Sequence, residues 1–277
     1  MLRLLDIEFH KIIHNRASRN LSIIYFFLLT SIALVATIKF DIGPIKFHLA
    51  EQGIFNFPYI WHFNTYVAAW LKFFLLLVIV SIISNEYTHK TLKQNLIDGL
   101  SKKEFILSKF YTVIAFSAIS TVFVFIVSLV LGLIYSDLNE IHIIFSKLEY
   151  ILAFFVKLVG FFSFGLFLGM LIKRSAFAIA AMIVWVIVEQ IIYGVLGWKF
   201  TSWEIAERIK DFLPLEAMQN LIVEPATKLG NVKTLAKQID LDVSKDYSVT
   251  PLNVIIVLTW TFIFIYLSYR LLKKRDL

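Results

Sequence analysis

The chain has 277 residues, of which 59% are hydrophobic and only 17% charged, with a mean hydropathy of +0.78. Soluble domains lie near about 45–50% apolar and about 25% charged, so an ordinary soluble domain is excluded and a lipid environment is implied. Cysteine is absent, which excludes disulfides and thiolate metal sites, and in so apolar a chain the net charge of +7 reads as the basic ends of membrane spans, not a nucleic-acid surface.

The chain opens with MLRLLDIEFHKIIHNRASRN, residues 1–20. Leu2, Leu5, Phe9 and Ile12 share one helical face, with Arg3, Asp6, His10 and His14 roughly opposite, as in an amphipathic helix lying in the membrane interface. No cleavable leader is expected, because the first apolar run follows these mixed residues and has no small-residue cleavage site behind it. A helix needs roughly 20 apolar residues to cross a bilayer core. Six runs fit: 21–38, 66–84, 110–135, 150–172, 176–196 and 252–269. Runs this long and unbroken suit helices better than the alternating strands of a barrel. The fold class expected is therefore all-α: a polytopic membrane protein with six transmembrane helices in a single domain over 1–277.

Two polar segments stand out between the runs. Residues 85–109 form a compact charged loop. Residues 197–251 contain TSWEIAERIKDFLPLEAMQNLIVEP, whose apolar residues recur at helical spacing up to Pro214 and again up to Pro225, predicting two short helices before the last span. With the N-terminus inside, the inner segments 1–20, 85–109, 173–175 and 270–277 hold 15 Lys and Arg in 56 residues, against 9 in 95 for the outer segments. This asymmetry puts both termini and the 85–109 loop in the cytoplasm.

The loop, with its flanks, reads SNEYTHKTLKQNLIDGLSKKEFILSKF. Thr88, Thr91 and Ser101 are candidate caps, a two-turn helix from Thr91 to Ile97 puts Leu92 and Leu96 on one side, Gly99 permits a sharp turn, and Ser101-Lys-Lys-Glu104 has the spacing of a capping box. Taken in order, Glu86, Thr91-Leu92, Leu96, Gly99-Leu100-Ser101-Lys102, Ile106 and Lys109 resemble the loop after the second span of type-2 ATP-binding-cassette (ABC) permeases. Lys90 stands where that family has Gly, Gly99 where it has Pro, and Lys102 replaces the usual Arg, keeping its charge but not its geometry. The interfacial first helix, six spans, inner termini and the outer FLPLEAMQNLI segment are similar as well, so the resemblance covers essentially the whole chain.

The resemblance implies the membrane-spanning subunit of an exporter in a bacterial cytoplasmic (inner) membrane, moving a hydrophobic or amphipathic substrate. It also implies partners: an ABC ATPase subunit, which would hold ATP and Mg, and a second or homologous permease copy. Glu86, Thr91, Leu92, Leu96, Ser101, Lys102 and Lys109 would then couple the loop to the ATPase. No GxxxxGK[ST] phosphate loop occurs, so neither an ATPase activity nor a cofactor is expected in this chain. The alternatives are a membrane anchor or assembly factor without transport, and an intramembrane lipid-modifying enzyme. The enzyme would need clustered acids or histidines, where the loop offers Glu86, Asp98 and Glu104 among lysines.

Three charges fall inside the runs. Counted from the outer ends at about 1.5 Å per residue, Lys72 lies roughly 9 Å deep, Lys157 roughly 10 Å and Glu189 roughly 11–13 Å. Isolated charges at depth cost about 2.5–3.5 kcal/mol or more, which predicts that Glu189 is buried between helices and pairs with Lys157 or Lys72. These three residues either line a polar path, or the lysines snorkel outward. Trp61, Trp70, Trp198 and Trp203 are read as an outer aromatic belt. The glycines of GFFSFGLFLG, 160–169, are read as sites of close helix packing.

Overall fold

In lipid every backbone N–H and C=O must find a partner within its own segment, so unbroken apolar runs fold as helices. The computed structural model describes residues 2–38, 40–42, 45–47, 53–199, 203–225 and 247–275, so most of the second half of the 197–251 segment lies outside the described residues. The helices are α1 (Leu2–His14), α2 (Arg16–Val35), α3 (Tyr59–Trp70), α4 (Lys72–Thr88), α5 (Thr91–Ile97), α6 (Lys102–Tyr135), α7 (Ile141–Ile144), α8 (Glu149–Ile172), α9 (Ser175–Lys199), α10 (Trp203–Lys210), α11 (Pro214–Asn220) and α12 (Pro251–Lys273). A short hairpin is the exception to all-α, with β1 (Phe40–Ile42) antiparallel to β2 (Ile45–Phe47) and Phe40 opposite Phe47.

Among the described residues five helices are long and apolar enough to span, and six if the bent pair of α3 and α4 counts as one. The run 66–84 is thus not one straight helix. It begins earlier, at Tyr59, and bends by 46° at Leu71. There the backbone switches to three-residue hydrogen bonds, Leu71 N to Ala68 O and Phe74 N to Leu71 O, both 3.1 Å. Those tighter turns break the α ladder. Neither Gly nor Pro marks the spot, so sequence reading had no signal for it.

The helix α8 is the axis of the bundle and packs against α3, α4, α6, α9 and α12. Lipid tails are as apolar as leucine, so close packing rather than water exclusion must hold such helices together. The glycines of α8 provide it. A Cβ on Gly165 would overlap Leu76 of α4, one on Gly169 would touch Ile83 of α4 at 3.4 Å, and one on Gly160 would meet Val257 of α12 at 2.8 Å. Outward side chains such as Phe27, Ile126, Val184 and Phe262 form the lipid-facing surface. Trp70, Trp198 and Trp203 are exposed as a belt requires, but Trp61 is not. It is fully buried, donates to the Ile144 carbonyl at 2.8 Å and stacks on Phe125, because α7 folds over it and supplies an acceptor that a membrane interface would otherwise have offered.

Candidate functional site

The short helix α5 sits between the ends of α4 and α6. Leu92 is buried and Leu96 half-buried against the bundle core, so this side faces inward. Lys93, Gln94, Ile97 and Asp98 are exposed, Ile97 at 68%. The turn out of α5 uses Gly99 at φ +97°, and α6 then starts with the expected capping box: the Ser101 hydroxyl accepts from Glu104 N at 3.2 Å and Ser101 N donates to the Glu104 carboxylate at 2.9 Å. Thr88 and Thr91 do not cap. Thr88 donates to the Ser84 carbonyl at 3.1 Å, and Thr91 donates to the Glu86 carboxylate, a stronger acceptor than α5 could offer it.

The residue before α5, Lys90, is left-handed at φ +57°, ψ +17°. This is the position where the resembling permeases carry Gly, and a side chain there costs roughly 1–2 kcal/mol of backbone strain. Lys90→Gly is expected to stabilise the protein by up to about 1 kcal/mol, part of the relief being offset by the freer unfolded chain. A thermal melt in detergent that shows Lys90→Gly less stable than the wild type would contradict this.

Beneath α5 lies a buried four-charge cluster drawn from three elements. The Lys109 ammonium of α6 donates to Glu8 of α1 at 2.6 Å and to Glu86 of α4 at 2.7 Å. Lys11 of α1 donates to Glu86 at 2.8 Å and reaches Glu8 at 3.4 Å. Asn95 of α5 adds a 3.4 Å contact to Glu86. Two acids and two lysines make the cluster neutral, which is what permits Glu8, Glu86 and Lys109 to be almost fully enclosed. Burial works against the Lys11 ammonium, but Glu8 and Glu86 beside it prevail and hold its pKa above the usual lysine value. A cavity of about 540 Å³ opens beside the cluster, lined by residues of α1, the 95–100 turn and α6.

The other flank of the loop is tied to the chain end. Lys102 donates to the Arg275 carbonyl at 2.8 Å, and the Arg275 guanidinium donates to the Tyr87 hydroxyl at 2.9 Å and to the Met170 carbonyl at the end of α8 at 2.7 Å. Of the seven loop residues singled out from sequence, Glu86, Thr91 and Lys109 therefore meet in one cluster. Leu92 and Leu96 seat α5, Ser101 caps α6, and Lys102 holds the C-terminal segment. Sequence reading missed Glu8, Lys11 and Arg275. Glu8 carried a readable signal, a lone acid beside Phe9 and Ile12 on the apolar side of α1; Arg275 carried none.

At the opposite end of the bundle the expected ion pair is absent. Glu189 is buried as predicted, but its carboxylate accepts from Trp185 Nε1 at 2.8 Å and from the backbone N–H groups of Leu215 and Glu216, both at 3.0 Å. It caps the N-terminus of α11, where unpaired N–H groups and the helix dipole stabilise an anion without any lysine. Lys157 bonds the Gln219 carbonyl at 3.3 Å, and Lys72 lies over the rings of Phe161 at 4.7 Å and Phe73 at 5.7 Å. The rings of His10 and His14 lie with centroids 3.9 Å apart and tilted by 33°, and among the described residues no three His, Asp or Glu approach closely enough to hold a metal.

A helical bundle of five or six candidate spans around a packed axis, with a braced loop at one end, has the architecture of a multi-pass membrane protein. The family model of the ABC-2 family transporter proteins matches residues 2–277, and the chain belongs to that family: it is a membrane permease component of an ABC transporter. Membership implies association with an ABC ATPase subunit. No curated protein matches the chain.

Proposed function

We infer that the chain is the membrane-spanning subunit of an ABC exporter, moving a hydrophobic or amphipathic substrate outward across a bacterial inner membrane. It works as a pair with a second permease copy, and a separate ATPase subunit that holds ATP and Mg docks on α5. The observation that carries this reading is the neutral cluster of Glu8, Lys11, Glu86 and Lys109. It fastens α5 to α1, α4 and α6 at once, so force applied to a seven-residue helix reaches two spans and the interfacial helix without being lost in a slack loop. The docking face is the exposed one, Lys93, Gln94, Ile97 and Asp98, while Leu92 and Leu96 hold α5 to the bundle.

Ile97→Asp tests this. With its side chain 68% exposed, the substitution is expected to leave the melting temperature within about 1 °C of wild type, since surface changes stay near ±0.5 kcal/mol, while reducing ATPase co-purification and transport together. Undiminished co-purification and transport would leave α5 as a connector only. The orientation is tested in the same cysteine-free background: Lys103→Cys is expected to resist an impermeant thiol reagent in intact cells, and Glu207→Cys on α10 to react. The reverse pattern would invert the topology.

A further inference from the structure

The protein treats its two sets of buried charge differently. At the α5 end each enclosed ammonium meets a carboxylate within 2.8 Å. At the other end Lys72 and Lys157 line one cavity of about 230 Å³ together, and among the described residues neither meets a carboxylate. Two acids at this end of the bundle are already engaged, Glu189 by three N–H donors and Glu216 by Lys210 at 2.9 Å. Lys157 is 3% exposed and, among the described residues, has a single acceptor, the Gln219 carbonyl, which leaves two of its three donors unmatched there. Two cations with no carboxylate partner among the described residues, Lys157 buried and Lys72 half-buried, are costly in a bilayer, and such groups mark ligand or ion sites.

Apart from Gln219, the rest of the lining is apolar or aromatic, with Tyr66, Trp70, Phe73, Phe161 and Val186 among it. Trp70, Phe73 and Val186 are also 68%, 43% and 44% exposed, so the cavity opens sideways on the lipid-facing surface. Its volume is below the roughly 300–1,000 Å³ of pockets that enclose a whole small-molecule ligand. It suits a head group whose tail stays in the membrane.

We propose that the Lys72–Lys157 cavity binds the anionic head group, phosphate or carboxylate, of an amphiphile whose apolar part leaves past Trp70, Phe73 and Val186 into the bilayer. As a binding site it stands on the geometry alone; as a station on the export path it rests on the transport reading above.

The test uses the purified full chain in dodecyl maltoside, with dodecyl phosphate as probe, followed by thermal shift and by intrinsic tryptophan fluorescence, to which Trp70 at the mouth contributes. Dodecyl phosphate is expected to stabilise the protein saturably. Lys157→Met and Lys72→Met should each weaken its binding about tenfold or more, the equivalent of one charged hydrogen bond. Lys147→Met, an exposed lysine of the α7–α8 turn, should leave it unchanged. Both cavity variants remove an uncompensated charge and are expected to melt no lower than wild type without ligand. Competition by phosphatidylglycerol would assign the site to a bilayer lipid, and its absence to a single-chain amphiphile; either supports the proposal. Equal stabilisation by inorganic phosphate would overturn it, as would unweakened binding in both cavity variants. Because binding is read without ATPase or transport, a failed transport assay with intact binding would overturn only the export reading.

Discussion

Lys109→Met is expected to destabilise the protein by about 3–5 kcal/mol, the usual cost of removing one partner from a buried ion pair. The ammonium is 2% exposed and stands between Glu8 at 2.6 Å and Glu86 at 2.7 Å. Without it two enclosed carboxylates share only Lys11, whose side chain is 35% exposed. The loss comes from the stranded acids rather than from the missing bonds. Lys109→Met combined with Glu8→Gln, which restores neutrality, should therefore recover a large part of it, and thermal unfolding of the four variants in detergent would measure that coupling. Losses that simply add would show that Glu8 and Lys109 do not depend on each other. The single variant should also co-purify less ATPase, because Glu86, to which Thr91 and Asn95 tie α5, is no longer held to α6 by Lys109.

Glu189→Leu is expected to cost about 3 kcal/mol or more. It removes the acceptor for Trp185 Nε1 and for the backbone N–H groups of Leu215 and Glu216, and each buried donor left unmatched costs about 1–3 kcal/mol. Glu189→Gln keeps one carbonyl oxygen but turns an NH₂ toward the remaining donors, so an intermediate loss is expected. Lys72→Met shares no partner with Glu189, so the two substitutions should add within about 0.3–0.5 kcal/mol. Strong coupling between them in a double-mutant cycle would restore the ion pair that the structure replaces with a helix cap.

How much could be read beforehand follows from the range of each interaction. The α5 helix, the turn at Gly99 and the Ser101–Glu104 capping box were legible because their determinants lie within a few residues of one another. The close-packing role of Gly165 and Gly169 was legible for the same reason, since their four-residue spacing puts both on the face of α8 that meets α4, whereas Gly160 lies on the other side, against Val257. The partners of Glu189 were not, because a carboxylate at a given depth is satisfied equally by an ammonium or by a helix N-terminus, and charge counting sees only the first. The fragment LPLEAMQN did contain the clue: Pro at the first helical position announces free N–H groups immediately after it. The side of α5 that anchors it was not legible, because it depends on which way the helix rolls, and Leu92 and Leu96 decide that only through contacts with distant helices.

The break at Leu71 has a mechanical consequence. It frees α4 from α3, making α4 a separate stiff rod with Lys72 at one end and Glu86 at the other, about 21 Å apart along the helix axis. If such a rod pivots at one end by about 10°, the other end sweeps about 4 Å, more than the length of a hydrogen bond. An occupant of the lysine cavity and a push on α5 therefore act on opposite ends of the same lever. Thermodynamic linkage then requires that whatever influence nucleotide-driven docking has on ligand affinity at Lys72, the ligand exerts by the same factor on docking.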